Sequence, residues 1–160
     1  MNRLAILLVL CLFLQSCESG IAPPPDSVGG TIVGSVNYSG SWPSADSVRD
    51  LRFVALRFVP VDTTDFLQLN RMEVSRRLEY GVESDTFTIS DVQPGLFPFS
   101  GVARQITANI FSWAPVGLVS DNGGIIELSD AETLRVSVAV DFEDIPAFPK
   151  TDGTFKARHE

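Results

Sequence analysis

Short runs in which apolar and polar residues alternate recur along most of this chain, and they constrain its fold more than any other feature. Such alternation is typical of strands with one buried face. No segment keeps a helical period over three turns, and Gly, Pro, Asp and Asn separate the runs. We therefore expect an all-β fold, a single antiparallel β-sandwich of about seven strands. The predicted strands are residues 31–38, 51–59, 85–90, 96–106, 113–119, 125–128 and 134–142.

Residues 51–59 are the strongest strand prediction, and residues 61–82 the least regular part of the chain. One face of the strand carries Arg52, Val54, Leu56 and Phe58, and the other carries Phe53, Ala55 and Arg57. Within the irregular part we predict a short helix at 64–69, opened by a Thr or Asp cap. We also predict an edge strand at 74–78, where Arg76 and Arg77 would oppose pairing with other chains.

The first seventeen residues have the pattern of an export signal. Arg3 precedes an uncharged apolar run at residues 4–14, which is too short to span a hydrocarbon core that needs about 20 apolar residues. The run ends in Leu-Gln-Ser-Cys at residues 14–17, which resembles the lipobox of bacterial lipoproteins. The resemblance implies cleavage before Cys17 and acylation of that residue, since two or more acyl chains give stable anchoring.

Cysteine usage agrees with an anchoring role. Cys11 lies inside the apolar run and would leave with it, so Cys17 would be the only thiol left and would carry the lipid. A disulfide or cysteine metal site is then excluded. We expect four parts: a signal peptide at 1–16, a lipidated, Pro-rich tether at 17–29, the β domain at 30–145 and a flexible tail at 146–160.

The charge of the chain excludes some partners. The formal net charge is −8, and removal of residues 1–16 with Arg3 makes it −9. An acidic domain is poorly suited to nucleic acid or to electrostatic binding of an anionic membrane. We therefore expect contact with the membrane through the lipid alone. Separately, we expect a domain that is a monomer or associates only weakly.

Three patches resemble the carboxypeptidase regulatory-like, transthyretin-like sandwich domains, which are similar in architecture to immunoglobulin domains. Residues 87–96, FTISDVQPGL, resemble the family's F-x-I-x-x-(V/L)-x-P-G signature, with Phe97 where the family has Tyr. Residues 30–36 resemble its first strand and residues 136–142 its last. The resemblance implies an accessory, adhesive or carbohydrate-contacting module without catalytic activity, although a fold alone does not specify function.

Catalytic and metal-binding patterns are sparse. The single histidine, His159, stands next to the C-terminus, and the sequence contains none of the HExxH, P-loop, GxGxxG or GxSxG motifs. Asp62 with Asp65, or Asp141 with Glu143 and Asp144, are the densest carboxylates, and solvated strand ends account for both groups. Calcium ligands at 121–124 or 141–144 are an alternative to simple turns. We expect no cofactor and no metal.

The two tryptophans are the candidate ligand contacts. Trp42 lies in a Gly/Ser/Pro loop, and Trp113 begins a strand. Exposed indoles stack on sugars or anchor partners, whereas a tryptophan in a small sandwich often closes one end of the core. The leading hypothesis is a non-catalytic binding or structural module, lipid-anchored in a Gram-negative envelope at its outer membrane, with a protein or glycan partner. The alternatives are a carbohydrate-binding module that uses Trp42 or Trp113 and a small envelope hydrolase that uses paired carboxylates.

Overall fold

The computed structural model describes residues 28–148. The predicted signal peptide, Cys17, nearly all of the tether, and His159 with the tail from residue 149 lie outside the described residues. Strands account for 48% of the structure, which has antiparallel sheets and no helix of seven or more residues among residues 28–148. The predicted all-β class is confirmed.

The described residues form three sheets. A three-stranded sheet has the order β4-β1-β9, a four-stranded sheet the order β3-β2-β6-β7, and a two-stranded sheet pairs β5 with β8. The strands are β1 (Gly30–Ser39), β2 (Asp50–Leu56), β3 (Met72–Val74), β4 (Ser84–Val92), β5 (Gly95–Phe97), β6 (Phe99–Gln105), β7 (Trp113–Leu118), β8 (Ile126–Leu128) and β9 (Thr133–Asp141).

One pairing departs from the antiparallel prediction. β1 and β9 run parallel over nine residues, from Thr31 opposite Thr133 to Ser39 opposite Asp141. Parallel neighbours need a long connection, which the rest of the domain supplies because these strands are its first and last. Alternation within a strand carries no information on the direction of its neighbour, so this pairing was not predictable from the runs.

Most predicted strands differ from the structure by a few residues at their ends: the strand predicted at 51–59 is Asp50–Leu56, so it ends three residues early. Two other predictions differ more. Residues 96–106 form two strands, because Pro98 has no N–H to continue a ladder: β5 pairs with β8, and β6 pairs with β2 and β7. The edge strand predicted at 74–78 is Met72–Val74 instead. Beyond it the Ser75 N–H still donates to the Phe53 carbonyl at 3.0 Å, but the N–H of Phe53 donates to the Ser75 hydroxyl at 3.0 Å, so a side chain replaces one of the two backbone bonds of the pair.

The main core contains residues of both the three-stranded and the four-stranded sheets. It contains Ile32 and Val138 from the first sheet and Phe53 and Val102 from the second, all fully buried. Phe53 stacks on Phe87 with ring centroids 4.3 Å apart. Gly34 lies opposite Phe87 in the β1–β4 ladder, and a Cβ at Gly34 would overlap the Phe87 ring. The strand glycine therefore makes room for a core aromatic ring.

The four-stranded sheet has a second buried face. We call the face with Phe53 and Val102 the inner face, and the face with Val54, Leu56, Phe99 and Ala103 the outer face. Phe66 completes this second cluster, with Phe58, Met72, Trp113 and Phe148 half-buried around it. The second face is buried because the segment after β2 folds back across the sheet.

Candidate ligand-binding site

A cavity of about 470 Å³ lies at the outer face of the four-stranded sheet and meets solvent on one side. Its size is within the range of about 300–1,000 Å³ typical of small-molecule sites, which are mostly apolar with a few polar groups. Seven of its lining residues are apolar and two are charged. They are Val54, Phe66, Leu67, Leu69, Met72, Val74 and Trp113, with Asp50 and Arg52.

The floor of the cavity is formed by strands whose outward side chains are apolar. Val54 pairs with Val74 and Leu56 with Met72 in the β2–β3 ladder, and side chains directly opposite each other share a face. Trp113, the first residue of β7, pairs with Gln105 at the far side of the sheet. The floor therefore runs across the sheet from its edge strand β3 to its edge strand β7.

The roof is the 3₁₀ helix Thr63–Leu67, capped by Asp62. A short helix was predicted at 64–69 with a Thr or Asp cap, and the observed one begins one residue and ends two residues earlier. The carboxylate of Asp62 accepts the N–H of Thr64 at 2.7 Å, and Asp65 accepts the N–H of Asp62, which completes a capping box. Hydrogen bonds from the hydroxyl and then the N–H of Thr64 lower the pKa of Asp62. Phe66 holds the helix down by edge contacts with Phe99 and Phe148.

The polar corner of the cavity is an ion pair. Arg52 Nε donates to Asp50 at 2.8 Å, and Arg52 Nη1 donates to the carbonyl of Ser75 at 3.2 Å. Arg77 Nε lies 3.8 Å from the same carboxylate, whose other polar contact is the N–H of Leu51. With side chains 35% and 21% exposed, Arg52 and Asp50 stabilise the fold only modestly, by ~0–1 kcal/mol. Arg52 was not predicted as a site residue, although its sharing a strand face with Val54 and Leu56 was the available signal.

The two candidate tryptophans have different surroundings. Trp113 lines the cavity and packs on the second cluster. Trp42 packs on the main core with three aromatic neighbours at centroid distances of 4.7 Å (Tyr38), 5.0 Å (Tyr80) and 4.5 Å (Phe142). Both side chains are half-buried. Trp113 thus contacts a space of ligand size, while Trp42 belongs to an aromatic cluster that packs against the core.

The aromatic cluster around Trp42 contains a buried hydroxyl. Tyr38 stacks on Phe142 with the ring planes 6° apart, and its hydroxyl has no hydrogen-bond partner among the described residues. Burial, and secondly the nearby Asp85 carboxylate, raise the pKa of Tyr38 well above its ordinary value. The Tyr80 hydroxyl instead donates to the carbonyl of Pro43 at 2.7 Å, which ties the Trp42 loop to the segment before β4.

The predicted carboxylate groups all have local structural partners. Asp65 accepts the N–H groups of Val61 and Asp62, and Asp62 caps the roof helix. Asp141 accepts the N–H of Glu143 at 2.9 Å, and Glu143 accepts from Ser41. These bonds position loops and helix ends.

The metal hypotheses find no support in geometry. Residues 28–148 contain no group of three or more His, Cys, Asp or Glu placed to hold a metal ion. The predicted turn at 121–124 is a short 3₁₀ segment in which Asn122 and Gly123 have φ of 52° and 62°. The simpler interpretation of Asp121–Gly124, a turn between β7 and β8, agrees with that backbone.

Within residues 28–148, no helix has the length and apolar character needed to cross a membrane. Comparison of the chain with protein-family models, with curated proteins and with solved structures finds no match.

Proposed function

We propose that this chain is a lipoprotein of a Gram-negative envelope, anchored at the outer membrane through Cys17, whose β domain is a non-catalytic binding module. The observation that carries the binding role is the cavity on the outer face, an apolar space of about 470 Å³ with one polar corner. A face buried only for stability would be filled, because protein interiors pack with few voids larger than a water molecule. An open apolar cavity of this size on the outer face is not required by the main core and supports a binding role.

The hydrogen bonds that the carboxylates accept support the non-catalytic part of the proposal. A hydrolase needs one carboxyl to act as acid and another as base or nucleophile, both facing one substrate. Asp62, Asp65 and Glu143 instead accept hydrogen bonds from nearby backbone and hydroxyl groups, and Asp50 is paired with Arg52.

We further propose a β-sandwich of the carboxypeptidase regulatory-like, transthyretin-like type. Support comes from the core that the three-stranded and four-stranded sheets share, and from the position of the family-like motif. In this chain the motif's Ile89 and Val92 are core residues at the end of β4, and Gly95 after Pro94 has φ of 137°, which glycine tolerates.

The anchoring part rests on the motif at residues 14–17 and has a direct test. In the full chain expressed in a Gram-negative host, Cys17→Ser should abolish labelling with a radioactive fatty acid and release the protein from the membrane fraction. Cys11→Ser is the matched control, since that thiol lies inside the predicted signal peptide. Membrane retention and labelling of the Cys17→Ser protein would overturn the proposal.

A carbohydrate-binding module is the second candidate, and the position of Trp113 favours it. An indole beside hydrogen-bonding groups such as Arg52 and Asp50 is suited to stacking on a sugar ring. Glycan-array binding that is lost in Trp113→Ala and retained in Trp42→Ala would establish it. No bound glycan, or equal binding by both variants, would exclude the cavity as a sugar site.

A further inference from the structure

The cavity combines a long apolar lining with a single charged corner, and this pairing specifies a ligand class. We propose that the cavity binds a long-chain carboxylate, with the carboxylate at Arg52 and the hydrocarbon chain between the roof helix and the sheet. The inference rests on the proposed binding role and names its ligand. It assigns Arg52 the recognition of the charged group and Phe66, Met72 and Trp113 the contact with the chain.

The lining favours a flexible hydrocarbon. Leu67, Leu69 and Met72 are unbranched at Cβ and adopt several rotamers, and methionine adapts to irregular apolar surfaces. Leu69 is 70% exposed, so one end of the apolar lining is in contact with water when the cavity holds no ligand. Covering that side chain and the Trp113 ring with hydrocarbon removes apolar surface from water, which is favourable in proportion to the area buried.

The charged corner favours an anion. Asp50 is already paired, since Arg52 Nε, the N–H of Leu51 and the more distant Arg77 all face its carboxylate. Arg52 donates through Nε and Nη1, and its Nη2 donates to no group among residues 28–148. Arg77 lies outside the cavity lining, 3.8 Å from the Asp50 carboxylate, so it helps to neutralise Asp50 from the solvent side and leaves Arg52 as the cation that faces the cavity. A ligand carboxylate supplies the missing acceptor, and charge-assisted bonds of this kind are about twice as strong as neutral ones.

The loop immediately before Trp113 carries two exposed apolar side chains. Ile110 and Phe111 are 56% and 47% exposed at the tip of the connection from β6 to β7. Ser112 and Asn109 hold the loop through hydrogen bonds, including Ser112 Oγ to the carbonyl of Asn109 at 2.6 Å and the N–H of Phe111 to Asn109 Oδ1 at 3.0 Å. These bonds fix the conformation of the loop that leads directly into Trp113, a lining residue of the cavity.

The test uses Trp113 as the reporter. In the full chain carrying Cys17→Ser and Trp42→Phe, Trp113 is the only tryptophan, and its fluorescence is followed during titration with laurate or with dodecanol. We expect saturable binding of both, with laurate bound more tightly. Arg52→Gln should weaken laurate about tenfold and dodecanol much less, because only laurate loses a charge-assisted bond, and Arg52→Lys should restore part of the loss. Val74→Phe, which places a ring in the cavity, should abolish both.

Two controls keep the outcomes distinct. Arg135→Gln removes an exposed arginine on β9, on the other sheet, and should leave laurate binding unchanged. Thermal unfolding of each variant shows whether it is folded. Absence of saturable laurate binding, or equal laurate affinity in the wild-type and Arg52→Gln proteins, would overturn the inference. Either failure combined with normal acylation of Cys17 would leave the proposed anchored module intact, and sugar binding instead of laurate would favour the carbohydrate alternative.

Discussion

The two faces of the four-stranded sheet are built from alternate residues of the same strands, yet they are covered in different ways. On the inner face Phe53 stacks on Phe87, and a whole second sheet supplies the partner surface. On the outer face Val54 and Leu56 meet a short 3₁₀ helix, and about 470 Å³ beside it remains open. A sheet matches the extent of another sheet, whereas one helical turn does not. The difference separates a face that stabilises the fold from a face available to a ligand.

Removing one aromatic ring from each face should give the largest effects and the sharpest contrast. Phe53→Ala leaves an internal void and should lower the free energy of unfolding by about 4 kcal/mol. Phe66→Ala should cost less, about 2–3 kcal/mol, because the space it leaves joins a cavity already open to water. Urea unfolding of both variants measures this. Equal losses would mean that the outer face is packed as tightly as the inner one.

Replacing each tryptophan should show the same contrast, with a smaller difference between the two losses of unfolding free energy. Trp42→Ala should cost about 3 kcal/mol, since its ring contacts Tyr38, Tyr80 and Phe142. Trp113→Ala should cost about 1–2 kcal/mol, because one side of the ring faces the cavity. Differential scanning calorimetry of the two proteins decides the point. A more destabilising Trp113→Ala would place that residue among the structural ones.

The alternating pattern of residues 51–59 predicted which side chains share a face of the sheet, but not what covers each face. Alternation in 51–59 correctly separated Phe53 and Ala55 from Val54 and Leu56, because period two follows from strand geometry alone. It did not indicate what would cover the second face. That depends on where residues 61–72 fold back, which is set by distant contacts such as that between Phe66 and Phe148.

Only Trp113 of the candidate site was predicted, because the rest of the site depends on contacts between distant segments. Trp113 was identified because tryptophan is a frequent ligand contact, but Trp42 met the same criterion and lies in an aromatic cluster. Only the fold distinguishes the two indoles. Arg52 and Met72 come together in the cavity from strands separated by a long loop, so no local pattern joins them.

The link between the two larger sheets gives a pH-dependent prediction. Arg76 lies in the segment after β3 and donates to the carboxylate of Asp85 on β4 at 2.5 Å. The Asp85 side chain is 9% exposed. Burial alone would raise the pKa of Asp85, but hydrogen bonds from the N–H of Glu79, from Arg76 and from the N–H of Thr86 outweigh it and lower the pKa. The charged form is therefore favoured in the folded state.

Asp85→Asn should consequently lower stability at pH 7 by about 1–2 kcal/mol, a modest figure because the Arg76 side chain is 50% exposed. A lowered folded-state pKa contributes stability above the ordinary carboxyl value of about 3.9, and that contribution is lost as the pH falls through the folded-state value. Unfolding curves of wild type and variant should converge in acid. A constant difference down to pH 2, or the same behaviour in the exposed control Asp130→Asn, would contradict the assignment.

The smallest expected change in stability is that of a variant in the aromatic cluster around Trp42. Tyr38→Phe removes a buried hydroxyl that has no partner among residues 28–148, so it should leave stability unchanged or raise it by up to about 1 kcal/mol. Thermal unfolding measures the change. A clear loss of stability would show that the hydroxyl has a partner, such as a buried water, and that this end of the domain is less dry than the main core.

The most direct test of the contrast between the two faces is hydrogen–deuterium exchange of the full chain, carrying Cys17→Ser, with and without saturating laurate. We predict slower exchange in residues 62–74 and around Trp113, where the roof and floor of the cavity lie, and unchanged exchange in the aromatic cluster at Tyr38, Trp42 and Phe142. Protection confined to the aromatic cluster, or no protection at all, would contradict the account of the outer face as the binding face.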